Sequence, residues 1–488
     1  MKNFYKVLVI FIVITTSSPA QDAGTEIVIG KTYTIQSEVL KEKRPVIIYT
    51  PDNYSNNGNP VTVLYLLDGQ NNFLHTSGIV SFLQNLGRIP KMMIVAIPNT
   101  SDRTRDLTPA IELNEETKKN IPTAGGADNM LRFISDELIP YIDENYNTGN
   151  YRILVGHSFG GLFAVYTLLN KPDLFDAYIA ISPSMWWDDQ NQLVKAQEFF
   201  KSDPDLNGYF YMTMGNEDGT MLGGAMKLAA LFEESQAENF NWDFKVMKEE
   251  THGTVPLRST YYGLEAIFKD WYRVDLSDLY VLGGMESVDA HYTSVSEKLG
   301  FDIQATENNI NNLGYTFLLE DQYEKAIEIF DENVKRFPES FNVYDSRGEA
   351  FKEKGDKEKA IADYMKSMEL HPGNANGVKM LSELGKAYDP DTYIVKLKPK
   401  KLEKYTGNYD LSINGNRLIL KVELVEDQLK GNAGGVFPIQ DLIPYGNNHF
   451  LAKKANMPML FKVDDTGKSV GVRIQTNTTS FVTAVKEK

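Results

Sequence analysis

The run Gly156-His157-Ser158-Phe159-Gly160-Gly161 directly follows the apolar stretch Tyr151-Arg152-Ile153-Leu154-Val155 and precedes a helix-forming segment, Leu162 to Asn170. A serine between glycines at a strand-to-helix turn is held in a strained backbone that only small neighbours permit, and its hydroxyl is pushed out above the sheet. Such a serine attacks acyl carbons once a base stands beside it. The chain holds 6 histidines. Elbow serines of this architecture meet their partners in the chain order Ser, Asp or Glu, His, which leaves His252, His291, His371 and His449. His252 lies in the polar loop Glu249 to Thr254, after the strand-like Trp242 to Met247 and before the helix-like Ser259 to Tyr272. That is a strand-end loop, where the catalytic groups of an open sheet gather. His291 approaches a different region, His371 stands beside a repeat-closing proline, and His449 belongs to a β-rich tail. His252 is the expected base.

The acid belongs at the end of the preceding strand, Gly208 to Met214, which Gly215-Asn216-Glu217-Asp218-Gly219 caps. A carboxylate there holds the imidazole in one tautomer and stabilises the imidazolium. Asp218 is the first choice and Glu217 the second. The oxyanion needs two donors. One is the backbone N–H of Phe159, the residue after the serine. The other comes from the loop after the strand Val61 to Leu67, where Asp68-Gly69-Gln70 points to the Gln70 N–H.

Taken together, Leu67-Asp68-Gly69-Gln70, Ile97-Pro98-Asn99 with Arg103 to Pro109, Gly156 to Gly161, Ser182-Pro183-Ser184-Met185-Trp186-Trp187 and the His252 loop resemble the putative esterase family, which includes enterochelin-type siderophore esterases and relatives of esterase D. The resemblance spans about Gly24 to Arg273. It implies an α/β-hydrolase fold and hydrolysis of carboxylic esters, with Ser158 as nucleophile and His252 as base. Arg103, Arg105 and Asp106 fall in the family's arginine-bearing loop; they either bind an acidic substrate or shape that loop through an internal salt bridge. Trp186 and Trp187 either line an aromatic acyl pocket or pack the loop after the strand Ala177 to Ile181.

The elements that must position these groups alternate as expected for a sheet covered on both faces. Strands are predicted near Glu26–Ile29, Pro45–Tyr49, Val61–Leu67, Met92–Ala96, Tyr151–Val155, Ala177–Ile181, Tyr209–Met214 and Asp243–Met247, with helices such as Ala127–Asn145 and Met221–Glu234 between them. Asn114 to Asp128 reads as a long loop near the site, a candidate lid. At 488 residues the chain exceeds one ordinary core. Lys2 and Lys6 before the apolar Val7 to Ile14, with Ser18-Pro19-Ala20 behind, read as a signal peptide over residues 1–20. With 0 cysteines there is no disulfide or thiolate chemistry, which suits a bacterial periplasmic or secreted protein. A net charge of -16 argues against nucleic acid and anionic membranes as partners.

After the hydrolase region at 24–273 and a linker at 274–306, the sequence repeats itself. Gly314 matches Gly348, Phe317 Phe351, Ala326 Ala360, Phe330 Tyr364 and Pro338 Pro372. This spacing resembles the tetratricopeptide repeat, whose period is about 34 residues, over 307–390. Such a segment serves either as a spacer, the favoured reading, or as a docking site for a peptide or protein. From 401 to 488, alternating stretches such as Leu418 to Val422, separated by Gly and Asn turns, read as short strands. They resemble a small lipocalin-like β domain. The expected function is an exported serine esterase, siderophore-esterase-like, working through an acyl-enzyme on a small-molecule ester with no metal or cofactor. The alternatives are a feruloyl or acetyl esterase acting on polysaccharide, an acyltransferase, and a non-catalytic repeat-based binding protein.

Overall fold

The computed structural model describes residues 27–488, apart from 53, 57, 101, 236, 238, 273, 414–415, 435–436, 447, 476–480 and 488. The signal peptide expected at 1–20 lies outside the described residues. Strands β1 (Lys31–Ser37), β2 (Glu42–Tyr49), β3 (Val61–Leu67), β4 (Met92–Ile97), β5 (Thr148–His157), β6 (Ala177–Ile181), β7 (Gly208–Met214) and β8 (Phe240–Val246) make one sheet. Its order is β1-β2-β4-β3-β5-β6-β7-β8. The pairs β1–β2 and β2–β4 are antiparallel and all the others parallel. β3, β4 and β6 are buried along their whole length. Burial on both faces is why they read as unbroken apolar runs. On one face Leu162 and Phe163 of the helix Phe159–Asn170 and Leu228 of the helix Gly219–Glu234 pack against the sheet. On the other, Val80 and Leu83 of the helix Gly69–Asn85 and Leu264 and Ile267 of the helix Val255–Ile267 do the same. This is the doubly covered sheet expected of an α/β-hydrolase.

Two expectations need correction. Of the first strand expected at Glu26–Ile29, Glu26 lies outside the described residues, while Ile27, Val28 and Ile29 are exposed and outside any strand, and the strand begins at Lys31. Its register is fixed by the hairpin that pairs Ser37 with Glu42 and Lys31 with Ile48, so the polar-apolar alternation of Lys31–Ser37 wins over the apolar run before it. The linker at 274–306 is largely helical. The helix Leu276–Leu299 runs through it, bent at Gly283 and Gly284, where φ and ψ leave the helical region. Its Val295 and Leu299 join the core of the hydrolase sheet, and its Tyr280 and Val288 join that of the following helices.

Those helices pair as the repeat predicts: Glu307–Leu319 with Tyr323–Arg336, then Phe341–Lys354 with Lys357–Leu370, followed by Ala375–Glu383. A Cβ on Gly314 would lie 2.5 Å from the Phe330 ring, so glycine is what allows this helix crossing. The C-terminal strands β9 (Gly407–Ile413), β10 (Asn416–Val425), β11 (Gln428–Ala433), β12 (Phe437–Pro444), β13 (His449–Ala452), β14 (Met457–Val463), β15 (Ser469–Gln475) and β16 (Phe481–Lys486) form a closed antiparallel barrel. Each strand pairs with the next in sequence, and β16 closes on β9. Tyr409, Leu420, Phe450, Phe461 and Val472 fill its interior, as the diameter of eight strands allows.

Candidate functional site

Ser158 stands between β5 and the helix Phe159–Asn170 with φ 60° and ψ −113°. No ordinary L-residue well lies there, and holding a residue so costs about 1–3 kcal/mol. The strain is fixed from both sides. The Ser158 N–H donates to Ile181 O at 2.9 Å, and its carbonyl accepts the Leu162 and Ser184 N–H groups. A Cβ at Gly156 would lie 2.2 Å from Gly160 O, so the elbow closes only with glycine there. The serine opens into a cavity of about 670 Å³ whose lining includes Asp68, Asn72, Arg103, His157, His252 and Leu257.

His252 follows β8 and shares that cavity. Its Nδ1 lies 3.2 Å from Glu217 Oε1. Asp218, the first choice for the acid, is exposed at the N-cap of the helix Gly219–Glu234. Glu217, the second choice, is the carboxylate beside the imidazole. The turn decides between them. Asn216 N–H donates to Glu250 O and Glu217 N–H to Gly215 O, so the turn is pinned against the His252 loop with Glu217 facing inward. The Glu217 side chain is 10 % exposed, and its Oε1 also accepts the Ser182 hydroxyl at 2.6 Å. With Nδ1 committed to Glu217, His252 keeps Nε2 for the substrate side. In the resting arrangement the Ser158 hydroxyl is bonded to Ser184 Oγ at 3.3 Å.

His157 joins the site as well, a residue that the chain order of serine, acid and histidine does not single out. Its ring packs on that of His252 at 4.5 Å between centroids, and burial followed by the neighbouring imidazole pushes its pKa down to about 4. A neutral ring therefore backs the base at ordinary pH. The signal was present in the motif, where a histidine immediately precedes the nucleophile. The expected oxyanion donors, the N–H groups of Phe159 and Gln70, lie in the first turns of two helices, where backbone N–H groups have no carbonyl within the helix. Both helices start from the same edge of neighbouring parallel strands, β3 and β5. Gln70 also accepts the Asn99 N–H on its side-chain oxygen.

Arg103 lines the cavity, yet its guanidinium is already engaged. Its Nε donates to Asp68 Oδ1, its Nη2 to Asp68 Oδ2 at 2.8 Å and to His157 O at 3.0 Å. Asn99 Nδ2 adds a bond to Asp68 Oδ1 at 2.6 Å. Arg105 is held by Glu42 and Asp106 and is not among the residues lining this cavity. Of the two readings for the arginine loop, the internal salt bridge describes both residues. Trp187 is fully buried and donates to Pro109 O, so it is packing and not pocket wall. Trp186 is 38 % exposed and lies 5.9 Å from the Phe159 ring. The stretch expected as a lid contains the helix Glu115–Asn120. It is tethered at its start, because Asp188 accepts the Glu112, Leu113 and Asn114 N–H groups. Burial alone would raise the Asp188 pKa, but those backbone donors outweigh it and lower it.

Comparison with known proteins places these observations in context. Residues 37–256 match the model of the family described as Putative esterase, and residues 341–374 match a tetratricopeptide repeat model. The ferri-bacillibactin esterase BesA of Bacillus subtilis is 34% identical over 151 residues, covering 28% of this chain and 52% of that protein. The siderophore enterobactin esterase of Emericella nidulans is 38% identical over 106 residues, covering 20% and 35%. The chain thus spans about half or less of the length of these curated relatives. Among solved structures, an IroE-like serine hydrolase from Shewanella oneidensis superposes with a TM-score of 0.53 at 27% identity, covering 63% of this chain and 99% of that one.

Proposed function

Because residues 37–256 match the model of the esterase family, we propose that this protein is a serine hydrolase of carboxylic esters, with Ser158 as nucleophile, His252 as base and Glu217 as the acid behind it. The observation that carries the reading is the pairing of His252 Nδ1 with Glu217 beside a strained serine in one cavity. As an ester enters, the Ser158 hydroxyl leaves Ser184 for His252 Nε2 and attacks the carbonyl carbon. The imidazole takes its proton, Glu217 stabilises the imidazolium, and the N–H groups of Phe159 and Gln70 receive the oxyanion. The proton passes to the departing alkoxide, leaving an acyl-serine. Water, deprotonated by His252, adds to the acyl carbon, and the acid is released.

The substrate class we favour is a siderophore-type lactone, supported by relatives named for ferri-bacillibactin and enterobactin. The apolar stretch near the start of the sequence supports export with removal of residues 1–20. We assign the tetratricopeptide segment the role of a spacer, supported by the packing of its first helices against the helix Leu276–Leu299.

The test is hydrolysis of p-nitrophenyl butyrate by the protein beside Ser158→Ala and His252→Ala. Turnover that falls by orders of magnitude in both variants, with fluorophosphonate labelling lost only in Ser158→Ala, supports the assignment. Turnover equal in all three refutes it. A second panel, of tricatecholate lactones against feruloyl esters, then selects the ester.

A further inference from the structure

Ser182 is fully buried at the end of β6 and carries a φ of 41°, in the left-handed region that non-glycine residues rarely adopt. Such strain persists only where the surroundings over-determine it, and it clusters at functional sites. Its backbone explains part of the geometry: Ser182 N–H donates to Thr213 O at 2.8 Å, continuing the β6–β7 ladder. The left-handed turn then sends its side chain to the end of the neighbouring strand. There the hydroxyl donates to Glu217 Oε1 at 2.6 Å and accepts the Gly215 N–H at 3.3 Å.

Glu217 depends on this contact more than its burial suggests. Oε1 receives the Ser182 hydroxyl and the Gly215 N–H, the latter at 3.3 Å, and faces His252 Nδ1 at 3.2 Å. Oε2 is buried with no hydrogen-bond partner among the described residues. The carboxylate is therefore held through one oxygen, and the short bond from Ser182 is the strongest fixed donor to it. Without that hydroxyl, nothing but the longer Gly215 contact distinguishes Oε1 from Oε2 in front of the imidazole.

We propose that Ser182 is the positioning residue of the acid: its hydroxyl fixes which face of the Glu217 carboxylate meets His252, and the backbone strain at Ser182 is maintained for that bond. This rests on the relay proposed above. Ser182 touches neither substrate nor reacting atoms, so its effect must pass through Glu217.

A double-mutant cycle on the full chain tests this. Ser182→Gly removes the hydroxyl while accepting a positive φ more readily than any other residue, so a folding defect from backbone strain is avoided. A thermal melt of each variant accompanies the kinetics, with Ser182→Ala as a second hydroxyl-free variant. With p-nitrophenyl butyrate, Ser182→Gly is expected to lower kcat about tenfold or more with KM within about twofold, as for groups that act in the transition state. On a Glu217→Gln background the same change is expected to alter kcat by less than about twofold, because residues acting as one unit are not additive. Equal losses in both backgrounds would overturn the proposal, since they mark a general packing role. So would wild-type kcat in Ser182→Gly alongside a loss in Glu217→Gln. Wild-type kcat in Glu217→Gln itself overturns the relay and this inference together, which separates the two failures.

Discussion

Replacing Arg103 by alanine should cost stability before it costs substrate affinity. Asp68 has a side chain 6% exposed and is gripped through both oxygens by Arg103, itself 31% exposed. Removing one partner of a buried ion pair leaves an uncompensated charge and costs about 3–5 kcal/mol. The Arg103 side chain is partly solvated, and Asn99 still donates to Asp68, so screening brings the expected loss to about 2–3 kcal/mol. For a domain of this size, each kcal/mol moves the midpoint by about 2–4 °C. A thermal melt of Arg103→Ala should therefore fall roughly 5–10 °C below wild type. The double variant Asp68→Asn/Arg103→Ala should recover part of that loss, because no buried charge is left over. An Arg103→Ala protein that melts within 1 °C or so of wild type, and loses activity only on anionic esters, would refute the reasoning and return Arg103 to the role of a substrate ligand.

The two candidate acids separate in one experiment. Glu217→Gln should lower kcat by about 10²–10⁴-fold, as for the acid of a serine triad, whereas Asp218→Asn, at an exposed helix cap, should stay within about twofold in the same p-nitrophenyl butyrate assay. A pH series tests the repeats. Burial holds the His371 pKa at about 4, below its ordinary value of 6.5, so the unfolded chain binds the proton first. The stability this gives is complete above pH 6.5 and is lost as the pH falls toward 4, by up to about 3 kcal/mol. Urea midpoints measured across that window should decline, and His371→Gln should flatten the decline.

What was legible in the sequence was local. The elbow could be read because strand, glycines and helix are contiguous, and the repeat because its pairs recur at a fixed offset. Glu217 could not be told from Asp218, since adjacent residues in a turn point in directions set by bonds to a distant segment, here the Glu250 carbonyl. The role of Trp187 was hidden for a similar reason. Three consecutive left-handed residues, Asp188, Asp189 and Gln190, follow it and divert the chain, and no composition rule anticipates such a run. Two glycines concealed the helix Leu276–Leu299 by interrupting its pattern at the bend. Ser182 stood in a recognisable motif, but its role was not legible there, because its backbone angle is a tertiary fact.

The helix Leu276–Leu299 also changes what the repeats have to supply for themselves. A solenoid ends in units whose outer faces need a polar cap, and two repeats give little interior to share between two ends. Here the first end is closed by Tyr280 and Val288, with Arg336 reaching back to Asp289 through both nitrogens of its fork. At the other end the barrel meets the array, where the Tyr445 hydroxyl donates to Leu370 O and Asn456 Nδ2 to Gly373 O. The array thus takes its first cap from a neighbour, while its last repeat is covered by Met380 and Leu381 of the helix Ala375–Glu383, and the barrel bonds to the turn before that helix. At the N-terminal side, then, the boundary of the repeat pattern is not a boundary of packing, since the helix Leu276–Leu299 shares one apolar cluster with the first repeat.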